Sequence, residues 1–194
     1  MRVLLTGAFG NLGSLVLEQL LGEGHHVRAF DVPTDVNRRV AEPFAACPHV
    51  EVRWGDIRDR AALAALVADR DAIVHIAAII APFSEVKPEL ARAVNVEGTR
   101  HLLDAAVAGG GRPLFVFTSS MSVFGERQAD PPPRTLDDPL IATDHYSTHK
   151  IEGEALVRAS GLPWVILRLG AMVDDRMRHN DPSQARLGLL MGPD

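Results

Sequence analysis

A doubly wound parallel α/β sheet is the fold the sequence predicts, and three observations carry that expectation. Short β-branched or apolar runs alternate with longer stretches of helical period, the runs number six, and a glycine-rich segment joins the first run to the first helical stretch. The candidate strands are Val3 to Thr6, Val27 to Asp31, Val50 to Trp54, Ala72 to Ile76, Leu114 to Thr118 and Trp164 to Arg168. The first helix places Leu12, Leu15, Val16 and Leu20 on one face and stops around Gly22 and Gly24. A second covers Arg60 to Ala68, and a long one runs from Pro88 to Ala108 before Gly109, Gly110 and Gly111 end it. A fourth starts at Thr143 or Asp144, either of which can cap it, and continues to about Ser160. Between them, Pro131, Pro132, Pro133 and Pro139 forbid regular structure from Gly125 to Ala142, giving a stiff loop of a length that is often functional. After Arg168 the sequence offers one weak strand and a polar stretch from Asp174 to Gln184. No repeat or flexible linker divides the chain, so one domain is expected.

Of 194 residues, 46% are hydrophobic and 23% charged, enough for one sizeable core without a disulfide or metal staple. Twenty basic against 25 acidic residues leave a formal charge of -5, which argues against a nucleic-acid backbone binder. Cys47 is the single cysteine, so no internal disulfide can form. The first residues lack the pattern of a secretory leader, and no apolar run approaches a bilayer span. A cytoplasmic protein with a small-molecule substrate, and neither nucleic acid nor membrane as partner, is expected.

The segment Thr6-Gly7-Ala8-Phe9-Gly10-Asn11-Leu12-Gly13 occupies the first strand-to-helix connection. Glycines at 7, 10 and 13 permit a tight turn, close backbone approach to a pyrophosphate and close helix-to-sheet packing, and the helix N-terminus offers free N–H groups. Asp31 closes the second strand, where a carboxylate can accept both hydroxyls of an adenosine ribose and would repel a 2′-phosphate. NAD is therefore expected over NADP, with Arg38 and Arg39 just downstream arguing the other way. Asp56, after the third strand, is placed to take the adenine amino group while Ile57 packs on the ring; taken alone, it reads as a helix cap.

Tyr146 is the single tyrosine, and Lys150 follows it by four residues, on the same face of a helix. A neighbouring ammonium favours the phenolate, so the pair suits proton transfer. Ser119, Ser120 and Ser122 leave the fifth strand at its C-terminal end, where a hydroxyl can polarise a reacting carbonyl.

With these residues in order, the sequence resembles the extended short-chain dehydrogenase/reductase family, in the branch of NAD-dependent epimerases and dehydratases. The resemblance is carried by TGAFGNLG at 6–13, Asp31, GDI at 55–57, HIAA at 75–78, NVEGT at 95–99, TSSMSVFG at 118–125 and YSTHK at 146–150. It implies a Rossmann-type NAD-binding domain over residues 1–173, with Ser120 as catalytic hydroxyl, Tyr146 as acid/base, and Lys150 holding the nicotinamide ribose and lowering the tyrosine pKa. It further implies that Asn11 and Leu12 line the pyrophosphate, that Ile76, Ala77 and Ala78 run under the cofactor, that Asn95 joins the cofactor-side hydrogen bonds, and that Leu169 and Gly170 approach the nicotinamide. NAD-dependent redox chemistry on a secondary alcohol or ketone follows, by a dehydrogenase or an epimerase, with a sugar, sugar acid or sugar nucleotide as the expected substrate. A sensor or scaffold that holds NAD(P) without turnover, or a truncated inactive relative, is the alternative. Ser120 is followed by Met121 and Ser122 rather than the Asp-Glu pair of the dehydratases, so 4,6-dehydration is not expected. Relatives continue for a hundred or more residues in a substrate region, of which 174–194 would be a short remnant, and many pair as dimers through helices corresponding to 88–108 and 144–160.

Other features read more plainly. His145 and His149 have metal-ligand spacing but no third partner, so no metal is expected, and His149 is placed at the site's edge or in solvent. His25 and His26 read as turn residues, and Trp54 and Trp164 as core. Arg134, Arg176, Arg178 and Arg186 are candidate anion ligands whose ordinary reading is solvated loop arginine.

Overall fold

The structure, a computed structural model, describes residues 1–126 and 133–171. Expectations placed on 127–132 and 172–194, including the tail and Arg176, Arg178 and Arg186, lie outside these residues. The elements follow in the order β1 (Arg2–Thr6), α1 (Asn11–Gly22), β2 (His26–Asp31), α2 (Asp35–Ala41), β3 (Val50–Trp54), α3 (Arg60–Val67) and β4 (Ala72–His75). Then come α4 (Phe83–Val86), α5 (Pro88–Arg92), a π-helical stretch (Ala93–Gly98), α6 (Thr99–Ala108), β5 (Leu114–Ser120), α7 (His145–Ala159) and β6 (Trp164–Leu169). All strand pairs are parallel and the sheet order is β3-β2-β1-β4-β5-β6, so the direction of winding reverses between β1 and β4.

Alternation along the strands divides the core. Leu4, Phe30, Ile73, Phe115 and Phe117 face α3, α6 and α7, whereas Leu5, Val27 and Ala29 face α1 and α2. On the α1/α2 side, Val165 and Leu167 of β6 are exposed among the described residues. No helix of the described residues is long and apolar enough to cross a membrane.

Several elements depart from the sequence reading. His26 opens β2 instead of turning into it. Asp35–Ala41 forms a helix capped by Thr34, whose hydroxyl accepts from the Asn37 N–H. The long helix expected from Pro88 to Ala108 is interrupted by the π turn around Asn95. Trp54 is half-buried, packed on Phe9 with ring centroids 5.1 Å apart. Trp164, expected in the core, is 42% exposed because β6 is the sheet edge, and the Arg158 guanidinium covers its ring at 5.7 Å.

The placement of α7 decides the site. Asp144 caps it in a reciprocal capping box with Ser147, and Glu85 accepts from the N–H groups of His145 and Tyr146. Gly153 lets the helix lie close on β5, since a Cβ there would fall 2.5 Å from Phe117 Cζ. One turn from Lys150, the fully buried Glu154 accepts from Ser119 Oγ at 2.6 Å, from Arg168 at 2.9 and 2.8 Å, and from Arg158 at 2.8 Å. Burial pushes this carboxyl up, but the bonds from Arg168, Ser119 and Arg158 outweigh it and hold the pKa at about 2.

Breaking a buried ion cluster from one side strands the opposite charge, so Glu154→Gln is expected to destabilise the fold by about 3–5 kcal/mol. The shift of the urea denaturation midpoint measures it, and a change within experimental error would contradict the anchoring role.

Candidate functional site

A cleft of about 950 Å³ opens across the C-terminal ends of the strands. Its lining includes Gly7, Gly10, Asn11, Leu12 and Gly13 from the first loop, Asp31 from β2, and Asp56 and Ile57 after β3. Ile76, Ala77 and Ala78 follow from β4, Ser120 from β5, Tyr146 and Lys150 from α7, and Leu169 from β6. Of the residues expected from the sequence, Asn95 alone does not line it. It stands behind the wall, where its amide clamps Ile79 by accepting from the N–H at 2.7 Å and donating to the carbonyl at 2.8 Å.

The glycine loop is shaped for an anion. Gly7 has φ +69°, and a Cβ there would come within 2.7 Å of the Ala77 nitrogen, while one on Gly13 would overlap the Gly7 carbonyl oxygen at 1.9 Å. Turn geometry and helix packing therefore require these two. Among the described residues nothing crowds Gly10, whose nearest neighbour would lie at 3.5 Å, so the bare backbone there is open to a ligand's approach. Helix α1 starts at this point with no side-chain cap, leaving its first N–H groups to the cleft. Asp31 Oδ2 accepts from the Phe9 N–H at 2.9 Å and Oδ1 from Val32 at 2.8 Å, so the carboxylate is fixed against the loop. Arg38 lies on the Trp54 ring at 5.2 Å. Asp56 pairs with Arg58, whose hydrogen bonds lower the carboxyl's pKa; the cap of α3 is Asp59, not Asp56. These features fit a dinucleotide: a cradle for its phosphates between Gly7 and Gly13, and a fixed carboxylate for a ribose.

Beneath the loop, buried His75 joins two elements. Thr99 Oγ1 donates to the Asn95 carbonyl at 2.7 Å, so it accepts from His75 Nε2 at 2.9 Å; His75 Nδ1 then accepts from Thr6 Oγ1 at 2.7 Å. Burial, and secondarily the Lys150 charge, pushes its pKa down to about 3.

At the far end, Tyr146 and Ser120 both line the cleft, and Ser122 Oγ donates to Ser120 Oγ at 2.9 Å. Of the three serines, Ser120 meets the phenol, while Ser119 is committed to Glu154. Lys150 is buried and donates to the Thr118 carbonyl at 2.6 Å, with its ammonium 5.6 Å from the Tyr146 ring centroid; burial lowers it to about 8. The expected depression of the tyrosine does not appear in this arrangement. Burial, with the Asp144 charge behind it, pushes the phenol above its usual value, and the Ser120 hydroxyl only partly opposes them.

His149, expected at the edge or in solvent, is buried against Asn95 at 3.4 Å. Its ring lies 6.2 Å from that of His145, and among the described residues no cluster of three metal-ligating side chains includes either. Arg134 sits 3.9 Å from Asp138. The sequence reading missed the wall formed by Ile79, Ile80, Ala81, Leu90 and Val94, although the apolar run after β4 was its signal. It also missed Glu154, whose i+8 spacing from Tyr146 places it on the same helix face.

Comparison with known proteins gives a family and a shared fold. The sequence model of the NAD dependent epimerase/dehydratase family matches residues 3–187. A 3-beta-hydroxysteroid dehydrogenase of Mycolicibacterium neoaurum is 36% identical over 162 residues, covering 80% of this chain and 42% of the relative. A D-erythronate dehydrogenase of Cupriavidus necator is 32% identical over 164 residues, covering 81% and 49%. The crystal structure of the dTDP-glucose 4,6-dehydratase DesIV from Streptomyces venezuelae, with NAD and TYD bound, superposes with a TM-score of 0.78 at 32% identity, covering 87% of this chain and 55% of that one. The chain thus spans about half the length of these relatives or less.

The His75 bridge carries a pH signature. An unfolded histidine takes up a proton as pH falls through 6.5, whereas the folded one resists it until about 3, so stability is progressively lost between those values. The histidine alone is expected to cost roughly 2 kcal/mol at pH 5 relative to pH 7. Denaturant melts of His75→Gln across this range should show a lower stability at neutral pH and a flatter decline on acidification; an unchanged slope would show that the imidazole does not set it.

Proposed function

Because this chain belongs to the NAD dependent epimerase/dehydratase family, we propose that it is an NAD-dependent oxidoreductase that interconverts a secondary alcohol and its ketone. The observation that supports this most is that Ser120, Tyr146 and buried Lys150 line one end of the cleft that begins at the glycine loop. When bound, the nicotinamide supplies the hydride acceptor or donor. Ser120 holds the substrate oxygen, and Tyr146 takes the hydroxyl proton during oxidation or returns it to the carbonyl oxygen during reduction. The raised phenol pKa favours the protonated form, so the arrangement by itself is poised to donate. Lys150 supplies a positive charge near the ring and a donor at the cleft floor.

NAD is preferred over NADP in this reading, because Asp31 is fixed where a 2′-phosphate would meet its charge, and Arg38 is drawn onto Trp54. The names of the relatives include a steroid dehydrogenase and an aldonate dehydrogenase. We carry from them only oxidoreduction at a carbinol carbon, and the sugar expected from the sequence is not assumed.

Calorimetric titration of the whole chain should show NAD binding at least about tenfold tighter than NADP. Equal affinities would remove the Asp31 argument, and binding of neither would remove the oxidoreductase reading. Tyr146→Phe is expected to lower kcat by roughly 10²–10⁴-fold while NAD still binds; undiminished turnover would exclude the phenol as the proton-transfer group.

A further inference from the structure

We infer a second binding site, at the opposite end of the sheet from the cleft described above, that takes a small polyanion bearing phosphate or carboxylate oxygens. It is a cavity of about 330 Å³ at the N-terminal ends of β1, β2 and β3, and its lining includes Arg2, His26, Arg28, His49, Glu51 and Arg70. That volume lies at the small end of the range for ligand pockets. No described residue lines both cavities, so the inference is independent of the oxidoreductase reading.

The chain as a whole is acidic, with a formal charge of -5, yet this end of the sheet gathers cations. Three guanidinium groups and a single carboxylate line the cavity. Arg53 beside Glu51 and the Met1 ammonium near Asp71 add positive charge around it, against Asp69 and Asp71. Glu51 is shared between Arg28, at 2.7 Å, and Arg53, while Arg2 reaches Asp71 at 3.3 Å in a pair exposed on both sides. Arg70 donates from Nε to the Ala68 carbonyl at 3.1 Å, and among the described residues it forms no ion pair. Burial lowers its pKa first and the Arg28 charge second, with Arg2 behind them; Glu51 and Asp69 oppose these only in part. Like charges gathered in this way are unfavourable until an opposite charge is brought among them.

The donors are also held in place. The Arg28 side chain is 13% exposed, and it donates from Nη1 to the Ala65 and Leu66 carbonyls at 2.8 Å and from Nε to Glu51. Its remaining nitrogen, Nη2, takes part in none of these bonds. Closing the last carbonyls of α3 accounts for Arg28 but for neither Arg70 nor the histidines. His26 and His49 meet edge to face, with ring centroids 4.4 Å and Nδ1 atoms 3.3 Å apart. Between neutral rings one Nδ1 donates and the other accepts, so the accepting ring carries its proton on Nε2 and keeps an N–H for an anion. Guanidinium forks and an imidazole N–H match phosphate and carboxylate oxygens. The same positive charges repel a metal ion from the histidine pair, and three of them against one carboxylate call for more than one negative charge. An occupant would tie β1, β2 and the turn before β4 together.

The test uses the full chain with pyrophosphate as probe, and citrate beside it to separate phosphate from carboxylate oxygens. Equilibrium dialysis is run at about 0.15 M ionic strength, where loose surface attraction is largely screened. It is run with and without NAD, since pyrophosphate also suits the glycine loop. Binding that NAD does not displace is expected, weakened about tenfold or more in Arg70→Gln and in Arg2→Gln. It should be unchanged in Arg60→Gln, an exposed arginine of α3 outside the cavity. The anion should also raise the urea midpoint of the wild type and not that of Arg70→Gln, while the midpoint without anion reports the fold of each variant. Arg2→Gln removes only an exposed pair, so it carries the test if Arg70→Gln does not fold. Citrate binding with the same dependence on Arg70 and Arg2 would support a carboxylate occupant of this site. Binding wholly displaced by NAD, or weakened no more in Arg70→Gln and Arg2→Gln than in Arg60→Gln, would overturn the inference. Absence of binding by either anion at millimolar concentration would overturn it as well. Failure of NAD to bind would remove the oxidoreductase reading and leave the arginine variants to decide this one.

Discussion

Burial alone would keep Glu154 protonated. It remains an ion because Arg168 from β6, Ser119 from β5 and Arg158 from α7 converge on its two oxygens. Side chains four apart on a helix share a face, so this anchor fixes two others at successive turns. Glu154 meets Ser119, Lys150 meets the carbonyl of Thr118, and Tyr146 meets Ser120. Three turns of α7 are thus registered against three consecutive residues at the end of β5. A slip of one helical position would turn all three contacts away together, and this makes the distance between the phenol and the serine a property of the fold.

The other half of the cleft is organised by neutral hydrogen bonds. Thr6 ends β1 where the glycine loop begins, and its bond to His75 ties that loop to β4; the second nitrogen of His75 ties β4 to Thr99 at the start of α6. Thr99 in turn bonds the carbonyl of Asn95, whose amide grips Ile79 in the cleft wall. The π turn around Asn95 widens the helix at this point. A charge on His75 would have no acceptor at Nδ1 unless the Thr6 hydroxyl reversed, so the chain of bonds and the depressed pKa express the same constraint.

Much of this was legible in the sequence where one residue type has one physical use. Gly7 and Gly13 could be read because a positive φ or a Cβ clash admits only glycine, and Asp31 because a carboxylate at a strand end beside that loop has few other roles. The six strands were legible from apolar runs, with boundaries displaced by one or two residues. The rest depends on tertiary partners. Glu154 reads as an ordinary exposed helix residue until Arg168, 14 positions away, is brought to it. His149 reads as a residue at the site's edge or in solvent because nothing in its own segment shows that the π turn brings Asn95 against it. Trp164 failed in the opposite sense: an apolar residue in a strand was assigned to the core, while strand order put it on the edge. The tyrosine shows the same limit, since the lysine four residues on was legible but the depth of burial that raises the phenol's pKa was not.

Lys150 explains why so much structure is gathered at one end of α7. Its ammonium is buried against one carbonyl and the rings of Phe117 and Tyr146, and its pKa falls from 10.5 to about 8. Because the unfolded chain binds this proton more tightly, the lysine opposes folding below pH 8, and the penalty is relieved only as pH rises toward 10.5. At neutral pH it costs on the order of 3 kcal/mol. Glu154, one turn further on, is displaced by a similar amount in the favourable sense, from 4.5 to about 2, and contributes a comparable stabilisation above pH 4.5 that is lost as pH falls toward 2. The two groups are opposite in sign and adjacent on one helix face, so the strain of holding a buried cation beside Tyr146 is offset where it arises. A lysine in that position without the ion cluster behind it would tend to draw the start of α7 toward solvent, and the phenol and serine would part.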